Sequence, residues 1–169
     1  MRLKLRELRD GRHTLAVNEP AKAHELPDCG PLTGELQIEK SGPVVIATGE
    51  IGFEARQRCS RCLRDFSRRY TQDVELCYQP RALAGDRDDH ETELTSDDLV
   101  TIDYQGNEID LWPELREAAL LALPLKPLCR DDCKGLCPVC GQDRNVADCG
   151  CRDDHHDPRW DKLRKLSGK

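Results

Sequence analysis

Apolar residues recur every second position through the middle of the chain, and every third or fourth position after residue 110. Leu32–Lys40 (LTGELQIEK) sets Leu and Ile against polar neighbours, the mark of a half-buried strand, and Ser41-Gly42-Pro43 breaks it. Val44–Arg56 is a second β-rich run whose glycines point to bulges or close backbone approach. Phe66–Tyr78 alternates again at Tyr70, Val74, Leu76 and Tyr78, and the Cys59–Cys62 segment between the two runs reads as a loop. These runs predict an antiparallel meander. Upstream, Leu3, Leu5 and Leu8 sit among charges before Asp10-Gly11, which either turns a hairpin or closes a short first element. Val100, Ile102 and Tyr104 predict one more short strand, with a turn at Gly106-Asn107.

The period then changes. Leu111, Leu115, Ala118 and Leu121/Ala122 recur at helical spacing, with Asp110 as the expected N-cap, Pro113 in the tolerant first turn and Pro124 as the stop. An amphipathic helix of this kind covers the open face of a sheet. Beyond Pro127 the periodicity ends, and Pro158–Leu166 predicts a short last helix through Trp160, Leu163 and Leu166. The fold class is therefore α+β. A β-rich antiparallel body packed by one main helix occupies 1–127, with the helix at 110–122. A small Cys-rich, zinc-binding segment follows at 128–152, then a charged tail at 153–169.

Composition narrows the class. With 169 residues, 37% hydrophobic and 34% charged, the chain can bury one modest core. No apolar run approaches a membrane span, and the first residues lack a signal-peptide centre, so a cytoplasmic protein without membrane contact is expected. Ten cysteines in such a compartment stay reduced, and at close spacing they read as metal ligands.

Six of the ten fall within Cys129–Cys151. Cys137-Pro-Val-Cys140-Gly is a zinc-knuckle signature: a tight turn presents two sulfurs to one ion, and the glycine lets the backbone curl beneath them. Cys149 and Cys151 can complete a tetrahedron. Cys59-Ser-Arg-Cys62 is a second pair that needs partners from elsewhere, and Cys129 and Cys133 are left to supply them. Two four-cysteine sites result, though a single site drawn from any four of the six C-terminal cysteines is the open alternative. The cofactor is structural zinc, one or two ions. Cys77 reads as a small core residue and Cys29 as a loop thiol. His155-His156, among Asp153, Asp154 and Asp157, reads as a solvated loop.

No Gly-rich phosphate loop, nucleophile elbow or HExxH motif is present, and an all-thiolate site leaves no open coordination position. The expected class is a binding protein, with no catalytic residue and no small-molecule substrate. A thiol-redox or metal-relay role for Cys59/Cys62 is the alternative. A zinc-ribbon transcription regulator is disfavoured by the net charge of −6. Charge is nevertheless segregated. Residues 56–69 carry six Arg against Asp65, and Arg56, Arg58, Arg61 and Arg64 are the candidate RNA contacts, with Phe66 and Tyr70 able to stack on bases. Residues 86–98 hold seven acids and one Arg, a solvated loop able to meet a basic protein.

The order of motifs carries a resemblance. ELRDG at Glu7–Gly11, CSRCL at Cys59–Leu63, GNEIDL at Gly106–Leu111, ALPLKPLC at Ala122–Cys129, CKGLCPVCG at Cys133–Gly141 and DPRW at Asp157–Trp160 span nearly the whole chain. In this the chain resembles the YceD-like family of bacterial large-subunit ribosomal RNA accumulation proteins. The resemblance implies a role in ribosome biogenesis, in 23S rRNA accumulation, with ribosomal RNA or a large-subunit ribosomal protein as partner.

Overall fold

The computed structural model describes residues 1–21, 26, 28–81 and 101–151. Seven strands and one helix follow in chain order: β1 (Arg2–Lys4), β2 (Gly11–Glu19), β3 (Leu32–Ser41), β4 (Val44–Arg58), β5 (Asp65–Pro80), β6 (Thr101–Tyr104), β7 (Glu108–Asp110) and α1 (Trp112–Ala122). The main sheet has the order β2-β3-β4-β5-β6, and β1 pairs with β7 in a separate two-stranded ribbon. Among the described residues the fold is thus an antiparallel-rich set of strands with one helix and a cysteine cluster after it.

The long strands follow from the alternation. In β3, Leu32, Leu36 and Ile38 are buried while Glu35, Gln37 and Glu39 are exposed; β4 continues the same face with Val45, Ala47, Ile51, Phe53 and Ala55. β3 and β4 pair antiparallel from Thr33↔Gly52 to Ser41↔Val44, leaving the two-residue turn Gly42-Pro43. Gly42 takes φ 57°, and glycine at the first central position followed by a residue with fixed negative φ matches a II′ turn. Val74 and Tyr78 of β5, Ile109 of β7, and Leu111, Trp112, Leu115 and Ala119 around α1 complete one apolar core.

Local expectations need correction in three places. The three long strands stand side by side in chain order, as the meander expects, but β6 joins β5 in parallel, from Cys77↔Thr101 to Pro80↔Tyr104. A parallel neighbour requires a long crossover, and residues 81–100 provide the length. Asp110 is not the N-cap: that place falls to Leu111, and Asp110 Oδ1 instead accepts the Trp112 N–H at 3.1 Å from one residue further out. The helix accordingly starts at Trp112 and not at 110. Its end behaves as expected, since Leu123 is extended (φ −76°, ψ 129°), as the residue before a proline is pushed to be. The buried face is also rotated, running through Trp112, Leu115 and Ala119, while Leu121 is 76% exposed.

The chain divides into two compact units. One comprises residues 1–57 and 65–127; the other joins Arg58–Arg64 to the chain from Leu128. The second unit is therefore discontinuous in sequence. The acidic run 86–98, the histidines 155 and 156, and the helix expected at 158–166 lie outside the described residues.

Candidate metal centres

Within the second unit, Cys59-Ser60-Arg61-Cys62 forms a tight turn. The Leu63 N–H donates to the Cys59 carbonyl at 3.0 Å, and the Cys59 N–H donates to the Arg64 carbonyl at 2.9 Å. Cys137-Pro138-Val139-Cys140 repeats that pattern: Gly141 N–H to the Cys137 carbonyl at 2.9 Å, and Cys137 N–H to the Gln142 carbonyl at 2.8 Å. Leu63 and Gly141 occupy equivalent places and share the left-handed conformation, φ 58° and 74°. The two CxxC turns are the same knuckle.

Each knuckle faces a second pair of thiols. Cys59, Cys62, Cys129 and Cys133 form one group and Cys137, Cys140, Cys149 and Cys151 the other, the sulfurs of each lying within 4.8 Å of one another. In the first group Cys59 Sγ is 3.8 Å from Cys133 Sγ, and Cys62 Sγ is 3.7 Å from Cys129 Sγ. A disulfide would bring the sulfurs to about 2.05 Å. A tetrahedron with Zn–S near 2.3 Å has edges of about 3.8 Å, the spacing of these two pairs. The first group is enclosed, with Cys59, Cys62 and Cys133 buried; in the second only Cys137 is buried, and Cys140 and Cys151 are exposed. Either group could hold a metal ion.

In each group one thiol is lowered and others are raised. Burial would push the Cys59 thiol up, but the backbone N–H groups of Cys129, Cys62 and Arg61 aim at its sulfur and bring it down to about 6. Cys129 is pushed up to about 12, by burial first and then by the neighbouring thiols. In the second group the N–H groups of Cys140 and Val139 lower Cys137 to about 6, while the crowding of Cys140 and Cys149 raises Cys151 to about 12. Without added positive charge each group favours one thiolate and resists a second. A divalent cation removes that resistance.

Asn145, which nothing in the sequence singles out, organises the shell around the first group. Its Nδ2 donates to Cys133 Sγ at 3.5 Å and to Asp143 Oδ1 at 2.7 Å. Its Oδ1 accepts the Lys134 N–H and Arg130 Nη2, each at 2.8 Å. Such partners fix the direction of a ligand's lone pairs. A lone Asn in a polar loop carries no sequence signal for this task.

The four candidate RNA arginines are engaged in different ways. Arg61 Nη1 donates to the Cys133 carbonyl at 2.8 Å, while its own carbonyl accepts the Leu136 N–H at 3.1 Å. Arg64 pairs with Asp143 at 3.0 Å, and Arg56, in the first unit, with Asp65 at 3.3 Å. Arg58 is exposed at the end of β4. Phe66 is half-buried with the Arg68 guanidinium 5.7 Å from its ring centroid, and Tyr70 donates to Gln57. Cys29 is half-buried and bridges to Ala55, and Cys77 is half-buried on β5; neither approaches the two groups.

The family described as "Large ribosomal RNA subunit accumulation protein YceD" matches residues 47–167. This chain belongs to that family. The matched span contains both cysteine groups. The YceD family is described by the accumulation of an RNA and not by a reaction, and its description does not favour a thiol-redox reading of Cys59/Cys62. Proteins of Mycobacterium bovis and Mycobacterium tuberculosis, described as uncharacterized, are 34% identical over 135 residues, 79% of this chain and 61% of theirs. One of Mycobacterium leprae is 27% identical over 133 residues, 79% of this chain and 58% of its own. The chain thus spans about three-fifths of the length of these relatives. No solved structure matches it. Among the described residues no helix is long and apolar enough to cross a membrane.

Proposed function

We propose that this chain is a non-enzymatic ribosome-biogenesis factor of the bacterial cytoplasm, supporting 23S rRNA accumulation by binding, with each four-cysteine group holding a structural zinc ion. The family match over residues 47–167 carries the biological reading. The chemistry of the donor sets agrees with it. Four soft thiolates gathered within 4.8 Å of one another suit zinc, and a full set of four would leave no position for substrate or water. Zinc would supply fold stability, with Cys59, Cys62, Cys129 and Cys133 tying two distant stretches together and Cys137, Cys140, Cys149 and Cys151 closing a local one.

The arginines divide by role. Arg61, tied to the Cys133 carbonyl, positions the knuckle. Arg58 and Arg64 contact RNA phosphate, with Arg56 contributing from the strand before them. The ion pairs of Arg56 and Arg64 are exposed, and pairs of that kind are worth about 0–1 kcal/mol, so phosphate can replace the carboxylate. Depletion of the protein in cells should lower 23S rRNA relative to 16S rRNA, and the parent chain should restore it. Arg58→Ala/Arg64→Ala should restore less, and in vitro should flatten the salt dependence of rRNA binding by about 1.4 log units per log salt, at about 0.7 for each lost contact. An unchanged 23S level on depletion overturns the proposal.

A further inference from the structure

The two four-cysteine groups share no ligand, yet one loop belongs to both. Residues 141–148 join Cys140 to Cys149 and so form the excursion that the second group closes. The same loop is bonded to the chain around the first group. Leu136 bridges to Asp143, the Arg144 N–H donates to the Gly135 carbonyl at 3.0 Å, and the Cys137 N–H donates to the Gln142 carbonyl at 2.8 Å. Gly135 lies directly against the first knuckle, since a Cβ there would meet the Arg61 carbonyl oxygen at 3.0 Å. From the loop, Asp143 Oδ2 accepts Arg64 Nη2 at 3.0 Å, and Asn145 Nδ2 donates to Cys133 Sγ at 3.5 Å. Asp143 Oδ1 accepts both the Asn145 main-chain N–H, at 2.9 Å, and its Nδ2, at 2.7 Å, while Asn145 Oδ1 accepts the Lys134 N–H at 2.8 Å. The amide that meets the Cys133 sulfur is therefore fixed at both of its ends.

A thiolate that accepts an N–H is a better-stabilised ligand, and outer partners of this kind change metal affinity by about 10–100-fold. Here the partner of one metal centre is carried on the loop of the other. We propose that the two centres are linked through Asn145. An ion in the second group fastens the loop at Cys149 and Cys151, the loop holds the Asn145 amide on Cys133 Sγ, and the first group then binds its own ion more tightly. Linkage is reciprocal, so an ion in the first group tightens the second by the same factor. Each group still fills from its own four sulfurs. What passes between them is affinity and not a ligand. The inference rests on the reading of both groups as zinc sites and adds that they are not filled indifferently to each other.

The test follows zinc in the full chain as a chelator of known affinity draws it off, with the Lys134 and Gly141 amide resonances reporting the first and second groups separately. Cys140→Ser/Cys151→Ser breaks the second group and touches no ligand of the first, and should lower the zinc affinity of the first about tenfold. Asn145→Ala keeps all eight sulfurs and should do the same. The two changes combined should lower it no further, since both remove one contact. Asn145→Asp keeps an oxygen for the Lys134 N–H but loses the donor to Cys133, and should not restore it. Cys59→Ser should weaken the second group by the factor seen in the first. The control Val146→Ala, in the same loop with a side chain 71% exposed, should match the parent at both groups. A first-group affinity left unchanged by Cys140→Ser/Cys151→Ser or by Asn145→Ala overturns the proposal. So does a combined loss of about a hundredfold, which would put the two effects on separate contacts. A chain that holds no zinc overturns the zinc reading itself, whereas two ions bound without mutual effect overturn the linkage alone.

Discussion

Leu63 holds φ at 58° in the place where the second knuckle has Gly141 at φ 74°. For a residue with a Cβ the left-handed conformation costs about 1–2 kcal/mol, and Leu63 is 55% exposed, so burial offsets little of that. Leu63→Gly should therefore raise stability by about 1 kcal/mol, read as a higher chelator concentration at the midpoint of metal removal. A fall instead would assign the leucine side chain a contact of its own. The same residue explains why the knuckle repeat is hard to see in the sequence. Cys59-Ser-Arg-Cys62-Leu63-Arg64 and Cys137-Pro-Val-Cys140-Gly141-Gln142 share only their cysteines, and what they have in common is the dihedral angle after the second one.

The β3–β4 hairpin contains two glycines that flank the pairing of Glu35 with Glu50, Gly34 opposite Ile51 and Gly49 opposite Leu36. A Cβ on Gly34 would collide with the Glu50 carbonyl oxygen, and one on Gly49 with the Glu35 carbonyl oxygen. Both obstacles are backbone, which cannot swing away as a side-chain tip can. Gly49→Ala should cost about 2 kcal/mol or more in denaturant unfolding, in the range of overpacked interiors. Gly30→Ala should stay within about 0.5 kcal/mol, because its new Cβ would meet the Glu54 carbonyl at an ordinary 3.5 Å. Close approach is legible from the glycines of VVIATGEIGFEAR, and the strands are legible from their alternation. The parallel pairing of β6 is not. Its four residues alternate as an antiparallel strand would, and direction depends on the path of the chain before it. The helix start escapes the sequence for a related reason: Asp110 does accept the Trp112 N–H, but from one position earlier than a standard cap.

At the scale of the molecule, the thiol groups are the most legible part of the site, because their spacing leaves only a two-site partition or a single C-terminal site, and the structure gathers two groups. In the two-site partition Cys137 and Cys140 take partners across a short loop, and Cys59 and Cys62 take theirs from a distance. Metal content should follow this division. The parent should carry two zinc ions per chain by elemental analysis, and Cys59→Ser and Cys137→Ser should each carry one. Loss of both ions in either variant, or of neither, would show that the groups are not separate ligand sets. The arginines are less legible, because their excess of charge says nothing about partners. Arg61 and Arg64 meet residues more than 70 positions away, Cys133 and Asp143, that no local pattern connects to them.

The discontinuity of the second unit has a consequence for the order of events during synthesis. Cys59 and Cys62 leave the ribosome well before Cys129 and Cys133, and the loop between Cys62 and Cys129 spans 67 residues. The other knuckle needs only the few residues from Cys140 to Cys149. Closing the longer loop costs roughly 2 kcal/mol more in chain entropy, if the chain between is still unstructured. A nascent chain holding only the early pair has half a ligand set, and captures no ion tightly until the late pair emerges. The strands β3, β4 and β5 are all made by Pro80 and are free to pair in that interval, before the partners of the early pair exist. The long-range ligand set is therefore complete once Cys133 has been made, before Cys149 and Cys151 of the local set exist.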